Sequence, residues 1–305
     1  MFNMPNEYVH KCAHNAVENA IFIIGTMRSG TGFLGLRLNE SSSIIGCPFE
    51  LRRIWSNVGN VAIASDVQGT ECPSLNQNNI NQVPIPSLKH AFSEEIIKNI
   101  GSKPVNEKIR FLNKNPHLCN KINLVAALFP KAKFIWTIRS LDKVVCSLKN
   151  LFERPGMQQR GIQHVWPKTN GDKQARCFNV NKNALKSPQT GERVFPGGNI
   201  RYLAEYWLES NCSMMNFANQ QADRILIVPQ DKLFTETRRT TKKIESFLNL
   251  MDNSLLNLEN KIEYDSIENW PSPLNLSEQN TLNDFMVQNA YELNRIQNLI
   301  NKEYT

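Results

Sequence analysis

A four-residue apolar run, Ile21 to Ile24, breaks into Gly25-Thr26-Met27-Arg28-Ser29-Gly30-Thr31-Gly32. Phe33, Leu34, Leu36 and Leu38 follow at helix-compatible spacing. Strand, glycine-bearing turn and helix in this order open many nucleotide-binding α/β domains. The residues between the glycines can turn their amides inward, and the next helix begins at the same place. Helix-start amides and backbone nests hold phosphate well, so the segment predicts a phosphate site.

The triphosphatase form of such a loop needs Lys after the second glycine and then a Ser or Thr hydroxyl to hold magnesium. Those positions here are Thr31 and Gly32. The sequence therefore predicts a phosphate held without a divalent ion, with Arg28 supplying the basic group. The seven cysteines form no CxxC pair and have no zinc-ligand spacing, so no metal site is expected. Their odd number argues against a disulfide framework and for a reducing compartment.

Farther along, the pattern predicts a short helix after Pro48 carrying Glu50, Ile54 and Trp55, a loop over 69–86, and a helix over 88–100. A strand over 108–112 runs into Asn113-Lys114-Asn115-Pro116, and Pro116 and Pro130 bracket a helix. A strand over 133–138 and a helix over 141–151 come next. Residues 153–198 have no regular period and carry eight Lys or Arg against three acids. Helices over 199–219 and 237–248 flank a strand over 224–228, and an amphipathic helix over 276–300 closes the chain. The elements predict one α/β domain over 1–305, with three layers of the P-loop type, a central mostly parallel sheet and helices on both faces. The segment 153–198 would be a long insertion and 276–300 a helical extension.

With these elements in order, the chain resembles the PAPS-dependent sulfotransferases, PAPS being 3'-phosphoadenosine-5'-phosphosulfate. That family carries a Gly-x-x-Arg-Ser-Gly-Thr loop around the 5'-phosphosulfate, and Gly25 to Thr31 match it. It also carries a strand ending in Arg with Ser eight residues later, which together hold the 3'-phosphate. Arg139, after Phe134-Ile-Trp-Thr-Ile138, and Ser147 match that pair. Lys114 and Pro116 resemble the Lys-x-Pro element of the protein-tyrosine and glycan branch, and Glu50 stands where that branch places its general base. The resemblance covers roughly residues 19–250. It departs at Gly32, often a second Thr, and at Ser140-Leu141-Asp142, where Asp or Asp-Pro often follows the Arg directly.

The resemblance implies PAPS as donor, adenosine 3',5'-bisphosphate (PAP) as product, and an acceptor with a hydroxyl or amine. Arg28 and Lys114 would steady the transferring group, with Glu50 as general base. His117 competes for that role, because small-molecule members use a His just past their strand-end Lys. Gly25, Thr26, Met27, Arg28, Ser29, Gly30, Thr31 and Gly32 would hold the 5' side of the donor, and Arg139 and Ser147 the 3' side. An acidic peptide, a glycan or a small molecule could each be the acceptor. Trp55, Trp166 and Phe195 are candidate linings for an apolar alcohol.

The net charge of +7 suits an anionic ligand. Two rival classes would use the same features. A P-loop kinase lacks its Lys and hydroxyl here. A non-catalytic nucleic-acid or polyanion binder lacks a zinc finger, an RNP-type aromatic pair or a basic recognition helix, so no nucleic-acid partner is expected. No window of 18 apolar residues occurs, and the N-terminal stretch lacks a signal peptide's apolar run. A cytoplasmic protein is expected, although a luminal domain without its anchor would read the same.

Overall fold

A computed structural model describes residues 6–47, 50–61, 77–153, 162–167, 175–179, 194–196, 200–250, 255 and 274–304. Five parallel strands form the central sheet: β1 (Ile21–Ile24), β2 (Ile44–Cys47), β3 (Arg110–Lys114), β4 (Lys133–Ile138) and β8 (Ile225–Pro229). Their spatial order is β2-β3-β1-β4-β8. Phe22 and Ile24 of β1 face one hydrophobic core, and Ile21 and Ile23 face the other. That two-residue alternation, apolar on both sides, is why the central strand reads as an unbroken apolar run.

Helices cover both faces. The larger core packs α1 (Asn6–Glu18), α3 (Ile85–Asn99), α4 (Ile122–Leu128), α5 (Leu141–Glu153) and α6 (Ile200–Gln220) against the sheet. The smaller packs α2 (Thr31–Leu38), α7 (Gln230–Thr235) and α8 (Thr237–Leu248) on the opposite face. A three-layer α/β architecture with a parallel central sheet results. Beyond it, α9 (Leu276–Gln288) and α10 (Ala290–Tyr304) lie against α6. Within 153–198, β5 (Ile162–Pro167), β6 (Ala175–Asn179) and β7 (Val194–Pro196) form a separate small sheet, where no strand period was legible.

Several features differ from the sequence expectation. Helix α1 was not foreseen, because its buried face is made of Cys12, Ala13, Ala16 and Val17, mostly small side chains that give a weak apolar period. Strand β2 is a four-residue edge strand that was also not foreseen. The expected strand over 108–112 lies two residues later, so Lys114 is the last residue of β3 rather than beyond it. The closing helix is broken at Asn289, whose side-chain amide donates to the Phe285 carbonyl at 2.8 Å and competes with the helical pattern. The expected loop over 69–86 lies partly outside the described residues; 77–82 form a 3-10 turn and Ile85 already begins α3. No helix among the described residues is long and apolar enough to cross a membrane.

Candidate active site

The strand order reverses direction at β1, and in open parallel sheets the crevice beyond the carboxyl ends at such a reversal is where ligands bind. The phosphate loop, Lys114 and Arg139 leave the sheet at its carboxyl end. The loop follows β1, Lys114 ends β3, Arg139 follows β4, and Ser147 lies on α5.

The loop has a strained, well-braced shape. Gly25 has φ 153°, Arg28 φ 69° and Gly30 φ 94°. A Cβ on Gly25 would sit 2.3 Å from the Thr137 carbonyl oxygen, so only glycine lets the loop approach β4 this closely. Ser29 is fully buried; its hydroxyl donates to the Thr26 carbonyl at 2.7 Å and pairs with the Thr137 hydroxyl at 3.0 Å. Ser29 thus braces the loop from inside. Thr31 and Gly32 open α2, where backbone amides have no intrahelical acceptor. A Cβ at Gly32 would meet nothing within 4 Å, so the threonine often found there in the resembling family would fit. The Thr26 hydroxyl is buried without a hydrogen-bond partner.

Arg28 Nε donates to the Ser147 hydroxyl at 2.9 Å, and an Arg139 Nη1 donates to the Arg28 carbonyl at 3.4 Å. The three residues therefore converge, and all line one cleft of about 770 Å³. Burial, and then the neighbouring Arg28 guanidinium, push Arg139 below the ordinary arginine value. Two adjacent cations beside a hydroxyl are a fit for a dianionic phosphate, which relieves their repulsion. Asp142, Lys143 and Asp231 also line the cleft. The wall opposite comes from α9 and α10, with Leu293, Asn294, Ile296 and Gln297 of α10 among its residues.

Residues 20–183 match the sequence profile of the Sulfotransferase family. The chain belongs to the sulfotransferase family. It is a PAPS-dependent enzyme by that membership. A search of curated protein sequences finds no match. Among solved structures, the sulfotransferase of Alicyclobacillus acidocaldarius shares the fold at TM-score 0.53 and 12% identity, covering 93% of this chain and 96% of that one. A mouse sulfotransferase complexed with PAP aligns over 99% of this chain and 94% of its own, at 12% identity and TM-score 0.48. The sulfotransferase domain of a Synechococcus olefin synthase aligns over 90% and 94%, at 16% identity and TM-score 0.44.

In this sulfotransferase a second cluster stands at the end of β3, outside the wall of the cleft. Lys114 Nζ donates to Glu50 Oε1 at 2.5 Å, with side chains 12% and 21% exposed. Burial acts to raise the Glu50 pKa, but the charge and hydrogen bond of Lys114, with Arg52 at 3.8 Å, outweigh it and hold Glu50 below the usual carboxylate value. Glu50 is not on a helix as the sequence suggested. It sits in the link after β2, ahead of a π-helical turn, Ile54–Val58. Asn115 fixes that link by donating from Nδ2 to the Glu50 carbonyl at 3.0 Å, while its Oδ1 accepts from the His117 amide at 3.0 Å. Lys114 lies over α2, its Cβ 3.2 Å from where a Gly35 Cβ would be, so Gly35 makes room for its stem.

His117 is placed on the turn after β3 and is 1% exposed. Trp55 is fully buried and donates from Nε1 to Asn113 Oδ1 at 3.1 Å. It is a core residue, not a wall for an apolar acceptor, because its indole packs among Phe22, Phe92 and Phe129. The side chains of Trp166 and Phe195 lie outside the described residues. Four described cysteines, Cys12, Cys119, Cys146 and Cys212, are unpaired thiols. No cluster of His, Cys, Asp and Glu suited to a metal occurs among the described residues. Tyr206 and Trp207 of α6 read from sequence only as helix anchors; both hold site backbone, Tyr206 at the Met27 amide and Trp207 at the Arg139 carbonyl.

Proposed function

We propose that this enzyme transfers the sulfuryl group of PAPS in line to a hydroxyl or amine, with the phosphate loop and the Arg28, Arg139 and Ser147 corner binding the donor. The observation that carries this reading is the convergence of those three side chains in one cleft beside the loop. PAPS supplies an electrophilic sulfur whose bond to the 5'-phosphate oxygen breaks, leaving PAP. As the acceptor oxygen or nitrogen bonds to sulfur, Glu50 takes its proton, and Lys114 and Arg28 stabilise the charge that grows on the sulfuryl and leaving oxygens. The buried Thr26 hydroxyl and the Thr31 and Gly32 amides complete the 5' side.

The test is transfer of labelled sulfate from PAPS to a panel of phenols, amines, glycans and acidic peptides. Transfer is expected to persist in EDTA, since Thr31 and Gly32 stand where a metal-dependent loop has Lys and a hydroxyl. Loss of transfer on chelation, restored by magnesium, would refute the metal-free part of the reading.

The Lys114 and Glu50 pair sets a pH dependence. Glu50 is held low, so the acid limb of kcat/KM, which reports the free enzyme, is expected below the ordinary carboxylate range. Lys114→Ala removes the main lowering influence and leaves burial, so the limb should move to higher pH. A pH profile whose acid limb does not move in that variant would show that Lys114 does not set the base.

A further inference from the structure

We infer that helix α6 is the jig that sets the spacing between the two phosphate-binding ends of the donor site, acting through Tyr206 and Trp207 as positioning residues. The inference rests on the donor reading of the cleft. Tyr206 is fully buried, and its phenol oxygen accepts the Met27 amide at 2.8 Å. Burial is the main reason its pKa is pushed well above the ordinary tyrosine value, so the group stays a neutral phenol throughout the working range. The next residue, Trp207, is 5% exposed and donates from Nε1 to the Arg139 carbonyl at 2.9 Å.

These bonds close a circuit. From Tyr206 it runs to Met27, along one peptide to Arg28, from the Arg28 carbonyl to the Arg139 guanidinium, and from the Arg139 carbonyl back to Trp207. The circuit holds both places where the backbone needs support. Arg28 has φ 69°, a left-handed conformation that is strained for a side-chain-bearing residue, so the Met27 anchor ahead of it keeps the turn from relaxing. The Trp207 bond fixes the carbonyl of Arg139 at the point where β4 ends, and so the direction in which its guanidinium leaves the sheet. Asn211, one turn farther along α6, locks the jig to the sheet. Its Oδ1 accepts from Trp136 Nε1 of β4 at 3.1 Å, and its Nδ2 donates to the Trp207 carbonyl at 2.8 Å.

Two adjacent residues serving opposite ends of one ligand give a crossed pattern that general loss of stability cannot imitate. Binding of PAP and of AMP, which lacks the 3'-phosphate, would be measured by calorimetry on the full chain and its variants, with Tm recorded for each. Tyr206→Phe keeps the ring and loses the acceptor. It should weaken PAP and AMP by the same factor, about five- to tenfold, the size of one buried hydrogen bond. Trp207→Phe should weaken PAP by about tenfold through Arg139 and leave AMP binding unchanged. In an Arg139→Ala background, Trp207→Phe should then cost no further PAP affinity. If Trp207→Phe does not fold, Trp207→Tyr carries the same comparison. Variants that weaken both ligands alike at both positions, or that weaken neither, overturn the jig. Equal affinity of the unaltered enzyme for PAP and AMP overturns the donor reading beneath it.

Discussion

Glu50→Gln is expected to lower turnover by about 10²- to 10⁴-fold, the usual contribution of a general base. Donor affinity should stay near its normal value, because Glu50 and Lys114 lie outside the cleft wall that Arg28, Arg139 and Ser147 share. The substitution is close to isosteric, and the Asn115 bond that positions residue 50 goes to its backbone carbonyl, so it survives. What is lost is a carboxylate kept ionised by Lys114 and able to take a proton as the bond to sulfur forms. His117→Ala is the matching control. Its imidazole is 1% exposed on the turn behind β3. Its removal is expected to cost stability, measured as Tm, with turnover per folded molecule retained. Near-normal turnover in Glu50→Gln with loss in His117→Ala would reverse the assignment and align the mechanism with the small-molecule branch.

The second large effect concerns the 3'-phosphate. PAP is expected to bind at least about thirtyfold more tightly than AMP, roughly 2 kcal/mol for a bidentate, charge-assisted contact. Arg139→Ala should abolish that preference while leaving AMP affinity nearly intact. Arg139→Lys should restore little of it, since an ammonium cannot reproduce the planar fork. Burial and the neighbouring Arg28 guanidinium both disfavour the charge on Arg139, and a 3'-phosphate paired with Arg139 offsets them. A preference that survives Arg139→Ala would move the 3'-phosphate to other side chains of the cleft.

The parts of the fold legible in the sequence were those with strong local signals. The run Ile21 to Ile24 followed by a glycine-bearing turn gave β1, the loop and α2, and β4 fell where its apolar run begins and ends. Helix α1 was silent, because alanine and cysteine bury well but register weakly as a period. Residue 50 could be placed near the phosphate loop by its order in the chain, but not on its link. Asn115, which holds that link, reads in sequence as one more polar residue before a proline. Tyr206 and Trp207 were legible as buried and not as functional. A helix's apolar stripe says which residues face inward, whereas the polar atom at the tip of a tyrosine or tryptophan finds its partner only when distant segments meet.

The same dispersion bears on how the enzyme comes into being. Ile21 pairs with Leu112 on one side and Lys133 on the other, and Phe134 pairs with Ile225. A ribosome must therefore release the chain through Ile138 before the middle strand has both neighbours, and through Pro229 before β8 can dock. Such long-range parallel pairing is intrinsically slow to form. No fragment short of β8 contains the jig together with its whole sheet, so the sheet that carries the donor site is complete only once β8 has docked. A ligand that binds only the native state stabilises it by about 2.7 kcal/mol at a hundredfold excess over Kd. The supply of sulfuryl donor in the cell is thus coupled to the lifetime of the folded enzyme as well as to its rate, and scarcity of donor would thin the population that remains folded to use it.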